Sequence, residues 1–264
     1  MNTLNWSRIV DLSVPVSEMH PSSWPAHMPF QHKTYNWYQS SASPTQELTD
    51  YQGPYATKWL AIDEHTGTHI DAPTHFIPPV SSGLDYANEW GDVSVEKIPI
   101  DQLVGNGCVI DAPTDQNVEP GVSPLFLPEH IETWEAQNHR LKEGDVVIFR
   151  SGWDSRYVEG VENRNYAYNT FVRGVEPGWP APSESTMELL VSRGVKLVGT
   201  DGPTMGPAQG GRDVHLIGLG AGTCFIECMA NLSELPQSGA LIVFLPLKIV
   251  NGTGAPGRAI AFLP

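Results

Sequence analysis

Cysteine is scarce. The 264 residues hold three, Cys108, Cys224 and Cys228, with no CxxC pair. An odd, scattered set argues against a disulfide framework. Cys224 and Cys228 lie in an apolar run and read as packed small hydrophobes. Basic charge is scarce too: lysine and arginine total 15 against 30 acidic residues, a formal net charge of −15. Such a surface repels phosphate backbones, so neither nucleic acid nor an anionic membrane is expected as a partner. No apolar run reaches the length needed to cross a bilayer. Met1 to Val10 has no basic segment followed by a long apolar one, so the cytoplasm is the expected compartment. G-x-S-x-G elbows and Walker loops are missing, which removes support for a serine hydrolase or a P-loop enzyme. Gly218-Leu219-Gly220-Ala221-Gly222 looks superficially like a nucleotide loop. It follows no clear strand and has no third glycine at the required spacing, so it reads as a structural turn.

What is present suits one globular unit. Hydrophobic residues make up 40% of the chain, and the length suffices to bury a core. Arg8 to Val16 alternates and reads as a strand. Tyr55 to Ile62 reads as another, feeding a histidine-rich stretch. Between Trp24 and Trp59 the chain is unusually aromatic, with Phe30, Tyr35, Trp37, Tyr38, Tyr51 and Tyr55 between them. These rings would either wall an apolar pocket or serve core and subunit contacts. Ser40 to Pro54 is polar and turn-rich, a candidate loop. Cys108 to Asp111 and Asp145 to Arg150 are short apolar runs of buried-strand type. Pro128 to Gln137 is predicted helical. Asp154 to Pro182 has little apolar period and much Gly, Pro, Asn and Tyr, the composition of a long functional loop or cover. Ser183 is a helix N-cap, Thr186 to Arg193 carries an apolar face, Gly194 ends the helix and Val195 to Gly199 is a strand. Ala240 to Leu247 and Arg258 to Leu263 are predicted strands around an Asn251–Gly254 turn. No repeat or linker divides the chain. The expectation is a single α/β domain, rich in strands, over residues 1–264.

The chemistry concentrates in residues 65 to 76, His-Thr-Gly-Thr-His-Ile-Asp-Ala-Pro-Thr-His-Phe. Imidazole nitrogen and carboxylate oxygen are the usual ligands of zinc and its first-row neighbours. The β-branched residues, Gly67 and Pro73 make this a poor helix. On a strand His65, His69 and Asp71 share a face, but a flat strand would set residues 65 and 69 about 13 Å apart. Two imidazoles on one ion at about 2.1 Å require the chain to bend, and Gly67 is where it can. Asp71 is then in reach of the same ion, and His75 returns to its edge after Pro73 without ligating. A histidine pair at this spacing is common on ordinary surfaces. The added carboxylate, the third histidine and the intervening glycine favour a metal. Farther on, His215 and Glu227 bracket an apolar segment. Glu227 either has a cation as its partner there or lies on a solvent face.

His65-x-Gly67-Thr68-His69-x-Asp71-x-Pro73-x-His75 resembles the signature of the metal-dependent cyclase-like hydrolase family, to which bacterial kynurenine formamidases and isatin hydrolases belong. Asp11-Leu12-Ser13, Trp24-Pro25, the stretches Gly144-Asp145 through Ser151-Gly152-Trp153 and Pro246-Leu247-Lys248 to Arg258, and the spacing of His215 and Glu227 extend the resemblance over nearly the whole chain. It implies a swivelling β/β/α architecture, in a homodimer or homotetramer. It implies that His65, His69 and Asp71 hold a first ion and that Asp71, His215 and Glu227 build a second position, Glu227 touching both. It makes His75 the proton-transfer residue and Trp24 a substrate contact. Zinc or manganese, one or two ions per chain, is the implied cofactor. Ala26-His27, where formamidases carry Gly-Asp, the Thr200–Pro207 loop and the long Asp154–Pro182 segment depart from the formamidase pattern.

The expected activity is hydrolysis by metal-activated water at a carbonyl, most simply at the C–N bond of a lactam or an aryl formamide. The expected substrate is small and planar or aromatic. A lactone hydrolase is the alternative within enzymes, since water activation is indifferent to whether nitrogen or oxygen leaves. A metal-binding protein without catalysis is the alternative from another class, and it would make His75 structural.

Overall fold

The structure is a computed structural model that describes residues 6–38, 55–113 and 117–264. An eight-stranded sheet dominates it, with strand order β1 (Arg8–Asp11), β12 (Gly254–Leu263), β11 (Ser238–Pro246), β5 (Val104–Asp111), β7 (Asp145–Arg150), β9 (Leu197–Thr200), β10 (Cys224–Glu227) and β4 (His69–Asp71). The start of β12 also pairs with β4, Gly254 opposite Asp71. The sheet therefore closes into a barrel, which leaves no open edge between β4 and β12. Neighbours from β5 through β7 and β9 to β10 run parallel, and the remaining pairings are antiparallel.

Strand periodicity builds two cores. Val146 and Ile148 of β7, Leu197 of β9 and Cys224 and Ile226 of β10 share one apolar cluster with Ile242, Phe244, Ala259 and Ala261. The alternate residues Val147, Phe149, Val198 and Phe225 face the other way, into a second cluster. There they meet Ile131 and Trp134 of α1 (Pro128–Gln137), Met187 and Leu190 of α3 (Glu184–Ser192) and Val214 and Leu219 of α4 (Arg212–Leu219). Strands buried on both faces read as continuous apolar runs, as β5 and β7 do.

The α1 and β7 limits match the expected ones, and β5, β11 and β12 contain or overlap theirs. The helix after Ser183 forms as expected: Ser183 Oγ accepts from the Thr186 amide at 3.1 Å, and Gly194 follows with φ +79°. The Tyr55–Ile62 strand forms as β3 (Thr57–Ala61), paired with β2 (Gln31–Asn36) in a separate two-stranded sheet. Two expectations need correction. The first strand stops at Asp11, with only a single bridge from Ser13 to Met229 beyond it. Of the histidine-rich stretch only His69–Asp71 is strand. The Ser40–Pro54 loop and Tyr51 lie outside the described residues.

The Asp154–Pro182 segment holds 3₁₀ turns, α2 (Tyr168–Phe171) and β8 (Ala181–Pro182), which pairs with β6 (Leu125–Phe126). Tyr157, Tyr166, Ala167 and Trp179 from it pack with Trp153 into a third core and lean on Trp24. The segment is a packed cover rather than a loose loop. Among the described residues no helix is long and apolar enough to cross a membrane.

Candidate active site

The sheet register assembles the site. Ile70 points into the barrel, so its neighbours His69 and Asp71 point out. β10 runs antiparallel beside β4 with Phe225 opposite Asp71 and Glu227 opposite His69. Glu227 alternates with the inward Ile226 and so shares the outer face with both. A one-residue slip would turn all three away. His215 comes down from α4. His65, His69, Asp71, His75, His215 and Glu227 thereby meet in one pocket.

Asp71 and Glu227 are the centre. Asp71 Oδ1 lies 2.8 Å from His65 Nδ1 and 3.4 Å from His69 Nε2, and Oδ2 lies 3.8 Å from His215 Nε2. Glu227 Oε2 lies 3.5 Å from His69 Nε2 and Oε1 3.4 Å from His215 Nε2. All five side chains are buried.

The tautomers follow from the outer partners. His69 Nδ1 donates to the Gly67 carbonyl at 2.8 Å, and His215 Nδ1 donates to the Gly211 carbonyl at 2.7 Å. Thr253 Oγ1 donates to Glu64 Oε2 at 2.8 Å, which leaves it to accept from His65 Nε2 at 3.1 Å. Each neutral imidazole therefore spends its one N–H away from the centre and turns a lone pair toward a carboxylate. Acceptor facing acceptor requires positive charge in between. Protons can supply it. Burial works against charge on His69, but Asp71, Cys228 and Glu227 outweigh it and hold its pKa well above the ordinary value. His215 is raised despite burial, chiefly by Glu227. Burial likewise acts to raise Asp71, but the charges on His75 and His65 hold it well below the carboxylate range. A metal cation supplies the charge equally well, and nitrogen and oxygen donors in this arrangement suit a divalent first-row ion. His65, Asp71 and His75 offer ligand atoms within 4.8 Å of one another, as do His69, Asp71 and Glu227.

His75 ends the Pro73 turn and packs on His65, ring centroids 4.0 Å apart with the planes tilted by 32°. Burial pushes its pKa down to about 4, only partly offset by Asp71. It is a neutral base at neutral pH.

Two glycines make room. Gly67 has φ +59°, and a Cβ there would lie 2.7 Å from Val16 Cγ2. The predicted bend is at this residue. A Cβ on Gly254 would lie 2.6 Å from His65 Cε1, so β12 can carry no side chain where it passes the imidazole.

Above the donors lies a cavity of about 390 Å³ walled by Trp24, Phe76, Phe171 and Trp179. Trp24 packs on Phe171 with centroids 4.5 Å apart and meets Trp179 edge-on at 6.0 Å. Phe76 stacks on His215 at 4.4 Å. Of the aromatic stretch from Trp24 to Trp59, Trp24 lines this cavity and Phe30 is buried, whereas Tyr35, Trp37, Tyr38, Tyr55 and Trp59 are exposed.

Several contributors went unseen in the sequence. Thr204 and the Met205 amide hold Glu227 Oε1 at 3.2 and 2.6 Å. Glu64 acts through Thr253, and Phe171 and Trp179 come from the cover. His27 lies in the pocket wall, 3.3 Å from Asp63. Of these only His27 had a signal, its place in Ala26-His27 after Trp24-Pro25.

The Cyclase family model matches residues 10–207. The chain belongs to this family. An isatin hydrolase of Roseibium aggregatum is 32% identical over 224 residues, 81% of this chain and 78% of that protein. A kynurenine formamidase of Salinibacter ruber is 28% identical over 208 residues, 76% of this chain and 77% of that one. The solved structure of isatin hydrolase A from Labrenzia aggregata bound to benzyl benzoate superposes with a TM-score of 0.77 at 28% identity, covering 97% and 93% of the two chains. The superposition thus spans the barrel, its helical layer and the cover.

Proposed function

We propose that this cyclase-family member is a metal-dependent amidohydrolase acting on a C–N bond other than a peptide bond, in a lactam or an aryl formamide. The observation that carries the reading is the convergence of three imidazole lone pairs on two buried carboxylates, at the floor of an aromatic cavity. The isatin hydrolase and formamidase relatives support it.

In this reading His65, His69 and Asp71 hold one ion, and Asp71, His215 and Glu227 a second position, with Glu227 in reach of both. Zinc or manganese, one or two per chain, is the proposed complement. When bound, the cation polarises the scissile carbonyl and lowers the pKa of water at the site, to about 7 in favourable zinc sites. The remaining work falls to the chain. His75, neutral because burial holds it low, takes the proton of the attacking water on an imidazole nitrogen and returns it to the leaving nitrogen. Trp24, Phe76, Phe171 and Trp179 hold a planar ring and keep bulk water out. Glu64 fixes Thr253, and Thr253 fixes His65. The contacts on Glu227, from Thr204 and the Met205 amide, orient that carboxylate.

Self-association is part of the proposal. Trp37, Tyr38, Trp59 and Leu60 on and beside the β2–β3 pair are each more than two-fifths exposed, apolar surface suited to a homodimer or homotetramer. Sedimentation or light scattering would measure the assembly, and a monomer at all working concentrations would reject it.

The test of function is a turnover screen of protein loaded with zinc or manganese against isatin, formylkynurenine and an unsaturated lactone. Ring opening or deformylation is expected. Turnover of the lactone alone would replace C–N by C–O hydrolysis. Stoichiometric metal without turnover of any would favour the non-catalytic reading.

A further inference from the structure

A second group of donors lies away from the pocket. Cys108 is in β5, His139 follows α1, and Asp145 opens β7. Their ligand atoms lie within 4.8 Å of one another. Cys108 Sγ is 3.9 Å from His139 Nε2, which is 3.0 Å from Asp145 Oδ2. None of the three lines the catalytic cavity.

The fold places them together. In the parallel β5–β7 pair Asn106 lies opposite Asp145 and Cys108 opposite Val147. Cys108 is thus two residues beyond the partner of Asp145 and on the same face. Asp145 begins β7, and Ser151 just past its other end bonds Asp201 beside the cover. The group therefore sits at the opposite end of the parallel strands from the cover.

Asp145 is only 2% exposed. Its Oδ2 accepts from His139 and from the Lys142 amide at 3.0 Å each. Its Oδ1 is buried with no hydrogen-bond partner. An unsatisfied buried carboxylate oxygen is costly, and it calls for something the protein's own donors do not provide. His139 is two-fifths exposed, so solvent reaches the group from one side, and Trp134 packs edge-on against its ring at 5.2 Å.

We propose that Cys108, His139 and Asp145 form a second site for zinc or a similar thiophilic divalent cation, with water in the fourth position. Sulfur, imidazole nitrogen and carboxylate oxygen are all established zinc donors. A thiolate and a carboxylate together neutralise a dication, which suits a site this buried. Tetrahedral zinc sets such donors roughly 3.3 to 3.6 Å apart, and the observed 3.9 and 3.0 Å bracket that range. Binding breaks the Cys108 S–H bond, forms a sulfur–metal bond and releases the proton to solvent, with no electron transferred. The ion would tie β5, β7 and the end of α1 together. The proposal is independent of the hydrolytic reading.

Cobalt(II) added to the full-length protein after chelator stripping tests it, because a thiolate ligand gives a near-ultraviolet charge-transfer band. The wild type should show the band. Cys108→Ser and His139→Ala should lose it, together with one cobalt per chain. Cys228→Ser, at the cysteine lining the cavity, should keep it, and His139→Ala should keep its turnover. His139 is partly exposed, so its variant remains decisive should Cys108→Ser fail to fold. No band in the wild type, an undiminished band or cobalt count in His139→Ala, or loss of the band in Cys228→Ser would each overturn the site.

Discussion

At the scale of single residues, His75 and His69 separate catalysis from metal binding. A proton shuttle is worth about 10² to 10⁴ in rate. His75→Ala is expected to keep its metal and fold and to lose turnover by about that factor. His69→Ala is expected to lose metal as well. Metal content and kcat on both variants check this, and loss of metal from His75→Ala would make it a ligand. Asp201 supplies a prediction about pH. Its carboxylate accepts from Ser151 Oγ at 2.6 Å and from the Ser151 and Gly152 amides, holding the turn after β7. Burial nonetheless lifts its pKa from 3.8 to about 6. The folded protein thus binds this proton more tightly than the unfolded chain. The stabilisation is full below about pH 4 and is lost as pH rises through about 6. Asp201→Asn removes that dependence. The stability gap between wild type and variant should shrink, on the order of 3 kcal/mol, from pH 4 to 7, as read by denaturant titration at both pH values. A gap that does not change with pH would reject the assignment.

At the scale of elements, the site depends on β4, β10 and β12 lying side by side. Gly254 is the point where β12 gives way to His65. Gly254→Ala would push the imidazole off its line to Asp71, while β12 keeps its pairing. Metal affinity should fall by about 10- to 100-fold, the usual cost of a displaced outer partner, with little change in the far-ultraviolet circular dichroism. Titration with zinc under a competing chelator measures it. The cover makes a different prediction. Trp24 meets Phe171 and Trp179 from it, so Trp24→Ala should raise KM for an aromatic substrate more than it lowers kcat, the pattern of lost uniform binding. Element identity was readable where a pattern was local. Ser183 and Gly194 bound α3 by capping chemistry, and the apolar runs of β5 and β7 have the length of buried strands. α4 was not readable, because it runs through a glycine-rich turn into β10 as one apolar stretch, where helix and strand give the same pattern. β2, the partner of the expected β3, escaped for the opposite reason: its residues are mostly exposed and carry no inward face.

At the scale of the whole molecule, the ion is expected to stabilise the barrel. It would tie β4 and β10 to α4, joining the point of barrel closure to the helical layer. Binding to the folded state alone adds about 4 kcal/mol at a thousandfold excess over Kd. A chelator should therefore lower Tm, and zinc or manganese should restore it. A Tm indifferent to both would argue against a resident ion. The net charge of −15 adds self-repulsion that salt screens.

The sequence alone determined the chemistry available. The crowding of His65, His69, Asp71 and His75, the bend at Gly67 and the scarcity of basic charge are properties of neighbouring residues and of composition, and no folding is needed to see them. The tertiary structure alone decided the rest. Glu227 left two options open in the sequence, a cation or solvent. The register of β10 against β4 buries it opposite His69. The same holds for His215 from α4, the Glu64–Thr253 support of His65, and the Trp179 and Phe171 walls. Local patterns report which face of an element is apolar. Which distant element that face meets depends on many weak contacts summed over a closed barrel, and no short stretch of chain carries that sum.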